Sequence, residues 1–321
     1  MHSLALASDG NQAASSALLV RPVSFGFNAH TAASNVFQSA VALDARSVAV
    51  QAQVEFDHLS EALRAAGVRC CVVEDTPQPA RPDAVFPNNW CSWHADGTLV
   101  LYPLLAESRR PERREAIIDA VVARTGFRIR RRIDLTTREL SGQYLEGTGS
   151  LVLDHLRRIA YACRSPRTDE ALFREWCALM GYEPVFFDAR DASGRAYYHT
   201  NVMLWIGTRC AMVCLEAIDP AQREWVRRHL SANRELLTID RHLAAAFAGN
   251  MLELRGCDAT GASWPLLLMS SAASAALPRT LIERLHAFYE RQCVVAVPTI
   301  ERVGGGSVRC MVAEIPDTVA P

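Results

Sequence analysis

One pattern recurs along this chain and constrains its fold more than any other feature. A short apolar strand is followed by a polar or Gly-containing turn, a second strand, an amphipathic helix and another strand. The pattern returns at intervals of roughly 50–60 residues, so we predict five β-β-α-β units. The main predicted segments are strands at 18–23, 68–74, 84–86, 98–103, 127–133, 150–153, 159–163, 202–206, 211–215, 251–254, 266–270 and 294–298, and helices at 44–66, 113–125, 168–180, 220–229 and 278–292.

The repetition by itself is compatible with two architectures, because no sequence motif repeats strictly. It is typical of a propeller-like array, and it also fits an ordinary mixed α/β sheet. The Ala- and Ser-rich residues 1–17 are expected to form a flexible leader. No Pro- or Ser-rich linker divides the rest of the chain, so residues 18–321 are predicted to form one compact domain.

Composition excludes several classes of function. The 34 basic and 35 acidic side chains leave a net charge of -1, which gives no field to attract nucleic acid or a membrane surface. Every basic residue is Arg, which excludes Schiff-base catalysis, lysine-bound pyridoxal phosphate and a phosphate loop of the Walker type. The chain lacks a long apolar run and an N-terminal signal pattern, so a cytoplasmic location is predicted.

The ten cysteines form no C-x-x-C pair, so neither a disulfide scaffold nor a metal site is expected. Most are expected to be small buried hydrophobic residues. Cys310 differs, because it follows three consecutive glycines at the start of the predicted strand 311–315. Glycines let a ligand approach the backbone closely, so Cys310 is a candidate nucleophile, although a buried structural cysteine fits the same pattern.

Other polar residues stand beside predicted strands. His199 precedes the apolar strand 202–206, where it could act as a general acid and base or be a hydrogen-bonded core histidine. Glu146 lies in a Gly-rich turn and could orient a histidine, although an ordinary solvated turn is the alternative. The polar segment 82–90, with Asn88 and Asn89, could line a pocket or simply form turns. The Arg-rich run 107–114 is usually solvated, but an Arg there could bind a carboxylate.

Five segments, taken together, resemble the guanidine-modifying enzyme superfamily. They are Phe86-Pro-Asn-Asn-Trp, Leu145-Glu-Gly-Thr-Gly, Tyr198-His-Thr-Asn, Gly249-Asn-Met-Leu-Glu and Gly304-Gly-Gly-Ser-Val-Arg-Cys. The superfamily includes arginine deiminase, dimethylarginine dimethylaminohydrolase, glycine amidinotransferase and the arginine dihydrolases. The resemblance spans about residues 18–315 and looks nearest to citrulline-utilisation hydrolases and arginine dihydrolases. It implies the pentein fold, a five-bladed pseudo-symmetric α/β propeller of ββαβ units.

The resemblance also implies roles for individual residues. Cys310 would be the nucleophile, His199 the general acid and base, and Glu146 the partner of that histidine. The substrate-binding positions that it implies are Asn28, Asp83, Asn89, Arg109, Arg158 and Asn201. No metal or organic cofactor is implied, since the sulfur supplies the covalent step. The expected partner is a small amino acid rather than a nucleic acid or a membrane, and the chain could form a homodimer.

Two positions differ from the deiminases in a way that concerns charge. Deiminases have a carboxylate at the position of Asn89, and arginine deiminases have another at that of Asn201. An amide can donate to a ureido oxygen and also accept from nitrogen. We therefore expect hydrolysis of citrulline or arginine to ornithine, ammonia and carbon dioxide. The alternatives are an amidinotransferase, a dimethylarginine or arginine deiminase, a non-catalytic binder of arginine-like ligands and a thiol hydrolase of unrelated amides.

Overall fold

A computed structural model describes residues 12–318 and shows a mixed α/β fold. Its strands are β1 (Ser16–Arg21), β2 (Arg69–Glu74), β3 (Cys91–Trp93), β4 (Thr98–Leu101), β5 (Arg131–Asp134), β6 (Val152–Asp154), β7 (Ile159–Cys163), β8 (Glu183–Phe187), β9 (Leu204–Ile206), β10 (Cys210–Val213), β11 (Glu235–Thr238), β12 (Leu252–Cys257), β13 (Ser263–Ser270), β14 (Arg291–Val295) and β15 (Ala313–Ile315). Its α-helices are α1 (Ala29–Ala32), α2 (Ala45–Ala65), α3 (Glu115–Thr125), α4 (Gly147–Ser150), α5 (Glu170–Met180), α6 (Pro220–Ser231), α7 (Arg241–Ala245), α8 (Ser271–Ala276) and α9 (Arg279–Phe288).

The strands of the described range form five three-stranded sheets with the same topology. Their orders are β15-β1-β2, β3-β4-β5, β6-β7-β8, β9-β10-β11 and β12-β13-β14. In every sheet the middle strand pairs antiparallel with one neighbour and parallel with the other. The parallel partner always follows a helical crossover, made by α2, α3, α5, α6 and α9 in turn. The predicted β-β-α-β repetition is therefore confirmed, and the first sheet takes its antiparallel strand from the far end of the chain.

Local chemistry explains where the longest helix begins and ends. The side chain of Asp44 accepts a hydrogen bond from the Ser47 amide at 3.0 Å and caps α2. The chain then turns at Gly67, which has a φ of +89°. A Cβ on Gly67 would lie 2.5 Å from the carbonyl oxygen of Cys257, so only glycine fits here. This close approach brings the end of α2 against β12.

Several predicted strand boundaries differ from the observed ones. No strand forms at 84–86, because this segment is a turn followed by a 3-10 helix at Pro87–Asn89, and β3 begins only at Cys91. Likewise, a 3-10 helix at Thr200–Val202 precedes β9. The apolar residues of these turns are buried like strand residues, so hydrophobicity alone could not separate the two. In the fifth sheet β14 begins earlier than predicted and α9 is shorter.

The predicted leader at 1–17 needs a correction where the structure describes it. Gln12 to Ala17 are buried, and Ser16 and Ala17 belong to β1. The Gln12 amide donates to the carbonyl of Leu153 at 2.8 Å, which fixes this segment on the third sheet. Residues 1–11 of the predicted leader lie outside the described residues. Across 12–318, no helix is long and apolar enough to span a bilayer.

Candidate active site

Equivalent points of the five sheets supply the polar residues of the site. A short helical turn precedes the first strand of the second, third and fourth sheets, and these turns carry Asn89, Gly149 and Asn201. The loop before β12 carries Asn250, and the loop before β15 carries Cys310. Helix α4 contacts the turns on both sides of it, so these positions lie close together. Side chains far apart in sequence thereby meet in one place.

Glu146 and His199 form a buried pair. Their side chains lie 2.8 Å apart, between Oε2 and Nε2, and both residues are almost completely inaccessible to solvent. The guanidinium of Arg167 lies 3.3 Å from the same carboxylate oxygen. Burial opposes ionisation of Glu146, but Arg167 and His199 together hold the pKa of this carboxyl well below its usual range. Glu146 is therefore an anion, and its Oε2 accepts a hydrogen bond from the Nε2–H of the ring.

Burial lowers the pKa of His199 to about 4, although Glu146 acts in the opposite direction. The ring is consequently neutral at neutral pH. Because Nε2 faces the carboxylate and donates to it, Nδ1 is the ring nitrogen that can take a proton. This is the protonation state that a general base requires.

The thiol of Cys310 is buried and lines the same cavity as His199. The amide nitrogen of Asn250 lies 3.4 Å from its sulfur, and Oδ1 of Asn201 lies 3.8 Å from it. Burial raises the pKa of the Cys310 thiol. The resting site therefore pairs a neutral thiol with a neutral imidazole. Among the ten cysteines, all within the described residues, Cys310 alone lines this cavity.

The cavity itself is small, with a volume of about 10 Å³, which is close to the space of one water molecule. Its lining residues are Thr31, Asn35, Asp83, Phe86, Asn89, Arg109, Arg167, Tyr198, His199, Gly304, Gly306 and Cys310. A larger cavity of about 290 Å³ lies between Leu156, Arg209, Trp264 and Phe288. We place the candidate site in the small cavity, because the thiol and the imidazole both line it and the carboxylate of Glu146 lies directly behind the imidazole.

The structure also brings Asp83, Asn89 and Arg109 to the cavity. Arg109 is fully buried and donates to both carboxylate oxygens of Glu112, at 2.9 and 2.8 Å. Its third donor reaches Oδ1 of Asn89 at 2.7 Å, and Oδ2 of Asp83 lies 3.8 Å from Nε. Burial raises the pKa of Glu112 to about 7, against the effect of Arg109. Three of the five donor positions of Arg109 are therefore already occupied by these side chains.

Asn28 lies behind Asp83 rather than on the cavity wall. Its amide nitrogen donates to Oδ2 of Asp83 at 2.7 Å, and its oxygen caps α1 by accepting from the amide of His30. Asn28 thus fixes the carboxylate that faces the cavity. Asn201 is held in a comparable way, since its amide nitrogen donates to the carbonyl of Thr148 at 3.0 Å.

Arg158 is not part of this site, which corrects the sequence prediction. It lies in the turn between β6 and β7, at the opposite end of β6 from α4. Its guanidinium lies over the ring of Tyr182, 4.1 Å from the ring centre, and donates to the carbonyl of Met180. Arg158 lines a separate cavity that also contains His94. The three-residue strand β6 separates it from the thiol side of the fold.

Three residues that sequence reasoning did not assign to the site belong to it. Arg167 donates to Glu146 and to the carbonyl of Thr31, and Tyr198 donates to the carbonyl of Gly305. Asn250 contacts the thiol. Tyr198 and Asn250 stand in segments that carry the family resemblance, which was a signal that could have found them. Arg167 has no such signal, because it follows β7 in an ordinary polar turn.

Comparisons with known proteins show which folds and families this chain resembles. Two solved structures similar to this chain are the N-terminal domain of ArgZ, an arginine dihydrolase from the ornithine-ammonia cycle in cyanobacteria, bound to substrate, and a DDAH from Pseudomonas aeruginosa in complex with citrulline. The ArgZ domain is 16% identical with a TM-score of 0.71, and the match covers 95% of this chain and 99% of that domain. The DDAH is 15% identical with a TM-score of 0.62, and the match covers 94% and 99% of the two chains.

Unliganded AgrE is a further neighbour, at 16% identity and a TM-score of 0.72. The match covers 95% of this chain but only 40% of AgrE. These identities establish a shared fold, and no curated protein sequence matches the chain significantly. A sequence profile described as eukaryotic N,N dimethylarginine dimethylhydrolase matches residues 21–316. The predicted membership of the guanidine-modifying superfamily is therefore confirmed, and the chain belongs to the N,N-dimethylarginine dimethylhydrolase family.

Proposed function

We propose that this protein is a cysteine-dependent hydrolase of a guanidino or ureido amino acid. Cys310 would be the nucleophile and His199 the general acid and base. Glu146 would orient the imidazole and stabilise its protonated form. One observation carries this proposal. A thiol and an imidazole that are more than a hundred positions apart in the sequence line one small cavity, with a buried carboxylate 2.8 Å from the ring.

The chemistry starts from the neutral pair. Nδ1 of His199 takes the thiol proton, and the sulfur of Cys310 forms a bond to the planar carbon of the substrate. The imidazolium then returns this proton to the departing nitrogen as the C–N bond breaks. Water, deprotonated by the same ring, attacks the adduct and releases the thiol. Acid and base catalysis of this kind accelerates a reaction by about 10²- to 10⁴-fold.

We infer that the substrate is arginine or citrulline and that the products are ornithine, ammonia and carbon dioxide. Starting from arginine, two molecules of water are consumed and two of ammonia are released with one of carbon dioxide. The enzyme must then bind a guanidino group first and a ureido group afterwards. Asn89, which lines the cavity, supports this, since an amide serves both groups, whereas a carboxylate would repel the ureido oxygen. Asn201 stands behind the thiol, with its amide nitrogen on the carbonyl of Thr148 and its oxygen 3.8 Å from the sulfur. Asp83 and Arg109 would bind the amino-acid end of the substrate.

The family match favours a second candidate, the hydrolysis of dimethylarginine to citrulline and dimethylamine. The two activities differ in whether the reaction stops at the ureido stage. Purified protein should be incubated separately with arginine, citrulline and dimethylarginine, and ornithine, citrulline and dimethylamine should be quantified. Ornithine from arginine or citrulline supports the proposal. Dimethylamine without ornithine supports the second candidate, and ornithine formed only after glycine is added would indicate amidino transfer.

The identity of the nucleophile has its own test. We expect Cys310→Ser to reduce turnover by at least about 10³-fold while substrate binding persists, because a serine hydroxyl is a far weaker nucleophile at neutral pH. Cys257→Ser is the matched control, since Cys257 is half-buried and does not line the cavity. Undiminished turnover by the Cys310 variant would refute the proposed site. Binding without turnover by the unmodified protein on every substrate would favour a ligand-binding role.

The proposal includes the arrangement of the five sheets as a closed five-bladed propeller. Contacts between successive sheets support it: β15 contacts β3, α4 contacts the turn before β3, β6 contacts β9, β9 contacts β12, and α2 contacts β14. Each sheet thus has a neighbour on both sides. In this arrangement the five loops that carry the site residues converge near the axis. A single catalytic domain at 18–321, a cytoplasmic location and a homodimer remain predictions from the sequence.

A further inference from the structure

Asn250 occupies a position that the proposed chemistry does not yet use. It lies in the loop before β12 and is completely buried. Its amide nitrogen lies 3.4 Å from the sulfur of Cys310 and 2.8 Å from the backbone oxygen of Asn201. Its amide oxygen accepts a hydrogen bond from the backbone N–H of Arg309 at 3.2 Å. One side chain therefore connects two site segments that are 49 and 59 positions away from it.

The two ends of this amide have different effects on the thiol. The oxygen binds the backbone directly before Cys310 and so fixes where the cysteine stands. The nitrogen presents its hydrogens to the sulfur and to a carbonyl, and it has no access to water. A buried donor aimed at sulfur stabilises a negative charge there more than it stabilises the neutral thiol.

We propose that Asn250 is a positioning residue that orients the Cys310 sulfur and stabilises its thiolate form during the reaction. This inference rests on the proposed function, in which Cys310 is the nucleophile. It assigns to Asn250 a role that is separate from substrate binding, because Asn250 does not line the cavity.

The surroundings of the sulfur make this contact important. Burial raises the pKa of the thiol, and the hydrogen bond from Asn250 is the largest effect that lowers this pKa. The guanidinium of Arg309 is already paired with Glu314 at 2.7 Å and with the carbonyl of Val312. The other charged or titratable groups that face the cavity are Asp83, Arg109, Arg167, Tyr198 and His199, with Glu146 directly behind His199. Arg109 and Arg167 are engaged with carboxylates, which leaves Asn250 as a direct donor to the sulfur.

The test measures the thiol without any substrate. The rate of alkylation of Cys310 by iodoacetamide is followed from pH 6 to pH 10 by mass spectrometry. Trypsin cleaves after Arg309, so the fragment that begins at Cys310 reports this thiol apart from the other nine. Asn250→Asp retains an acceptor for the Arg309 N–H but places a carboxylate beside the sulfur. Asn250→Ala removes both hydrogen bonds.

We expect the alkylation rate at pH 8 to fall about tenfold in Asn250→Ala and further in Asn250→Asp. The inflection of the pH profile should move up by about one pH unit, which corresponds to the same tenfold change. Asn35→Ala is the matched control, because Asn35 is a buried asparagine that binds the carbonyls of Gly304 and Gly305 but does not contact the sulfur. Its pH profile should keep the inflection of the unmodified protein.

An unchanged inflection in either folded Asn250 variant would overturn the inference, and so would an equal shift in Asn35→Ala, which would indicate a general distortion of the glycine loop. If Asn250→Asp does not fold, Asn250→Ala decides the outcome, and Asn250→Ser serves in its place if needed. The result is independent of the substrate. A shifted thiol in a protein that lacks hydrolase activity would preserve the role of Asn250 in thiolate stabilisation and reject the proposed function.

Discussion

Gly149 provides a test of how narrowly the imidazole is positioned. A Cβ at this residue would lie 2.6 Å from Nδ1 of His199, 2.7 Å from Cε1 of the same ring and 2.6 Å from the amide nitrogen of Asn89. Ordinary van der Waals contact begins near 3.4 Å. The methyl group of Gly149→Ala therefore has to push the ring away by about 0.8 Å. The ring cannot move that far and keep its 2.8 Å contact with Glu146.

A displacement of about 1 Å in a catalytic group commonly costs about 10²-fold in rate. We therefore expect kcat of Gly149→Ala to fall about a hundredfold on whichever substrate the unmodified protein turns over. The backbone itself should accept alanine, because Gly149 lies in α4 and does not have a positive φ. Alanine is also the better helix former by about 0.5–1 kcal/mol, so the fold should be retained.

Steady-state kinetics of the two proteins, with circular dichroism to confirm folding, measure this effect. Gly26→Ala is the matched control, since a Cβ there would meet nothing within 4 Å and Gly26 lacks a positive φ. Its kcat should stay within about twofold of the unmodified value. A Gly149→Ala protein with kcat within threefold of the unmodified protein would show that His199 is not held where the structure places it, or that it does not take part in the reaction.

Three further outcomes are expected. Glu146→Gln should lower kcat by about 10²-fold or more. It should also lower the pKa of His199 further, because it removes the negative charge that raises this pKa against the effect of burial. An unchanged pH profile of kcat would contradict this. Arg158→Ala should keep KM within twofold of the unmodified value, because this guanidinium lies over the ring of Tyr182. A tenfold rise in KM would show that Arg158 does contribute to substrate binding. Acid should destabilise the fold, because burial lowers the pKa of His94 to about 3 and of His199 to about 4 while the unfolded chain titrates near 6.5. The unfolded state then binds more protons as pH falls below 6.5, so urea unfolding at pH 5 should show a loss of about 2 kcal/mol per histidine relative to pH 7, and His94→Gln should remove its share.

Much of the architecture could be read from the sequence, because the periodicity of apolar residues changes where strands give way to helices. Helix α2 and the strands β4, β7 and β10 illustrate this, since all four were predicted within a few residues. The first strand of several units was misplaced for a physical reason. The apolar residues in and before the short helical turns, Ala84 to Phe86 and Val202, are buried like strand residues, so their hydrophobicity predicts a strand where none forms.

The site could be predicted only where a motif accompanied the reactive group. Cys310 follows three glycines, and Glu146 and His199 stand in segments that resemble a family. Arg167 had neither kind of signal, and its importance comes from a contact with Glu146 across 21 positions. Arg158 shows the opposite failure, because a match in sequence could not reveal that it stands at the far end of a hairpin. Which end of β6 faces the site is decided only when the sheets pack together, so the sequence does not show it.

The pairing of β1 with β15 has a consequence for folding. Ser16 pairs with Ile315, so the first sheet forms only when two segments almost three hundred residues apart meet. Contacts between such distant segments form slowly compared with those between neighbouring strands, so we expect the first sheet to be completed last. Because Cys310 lies in the loop that leads into β15, its thiol reaches the other residues of the cavity in the same step.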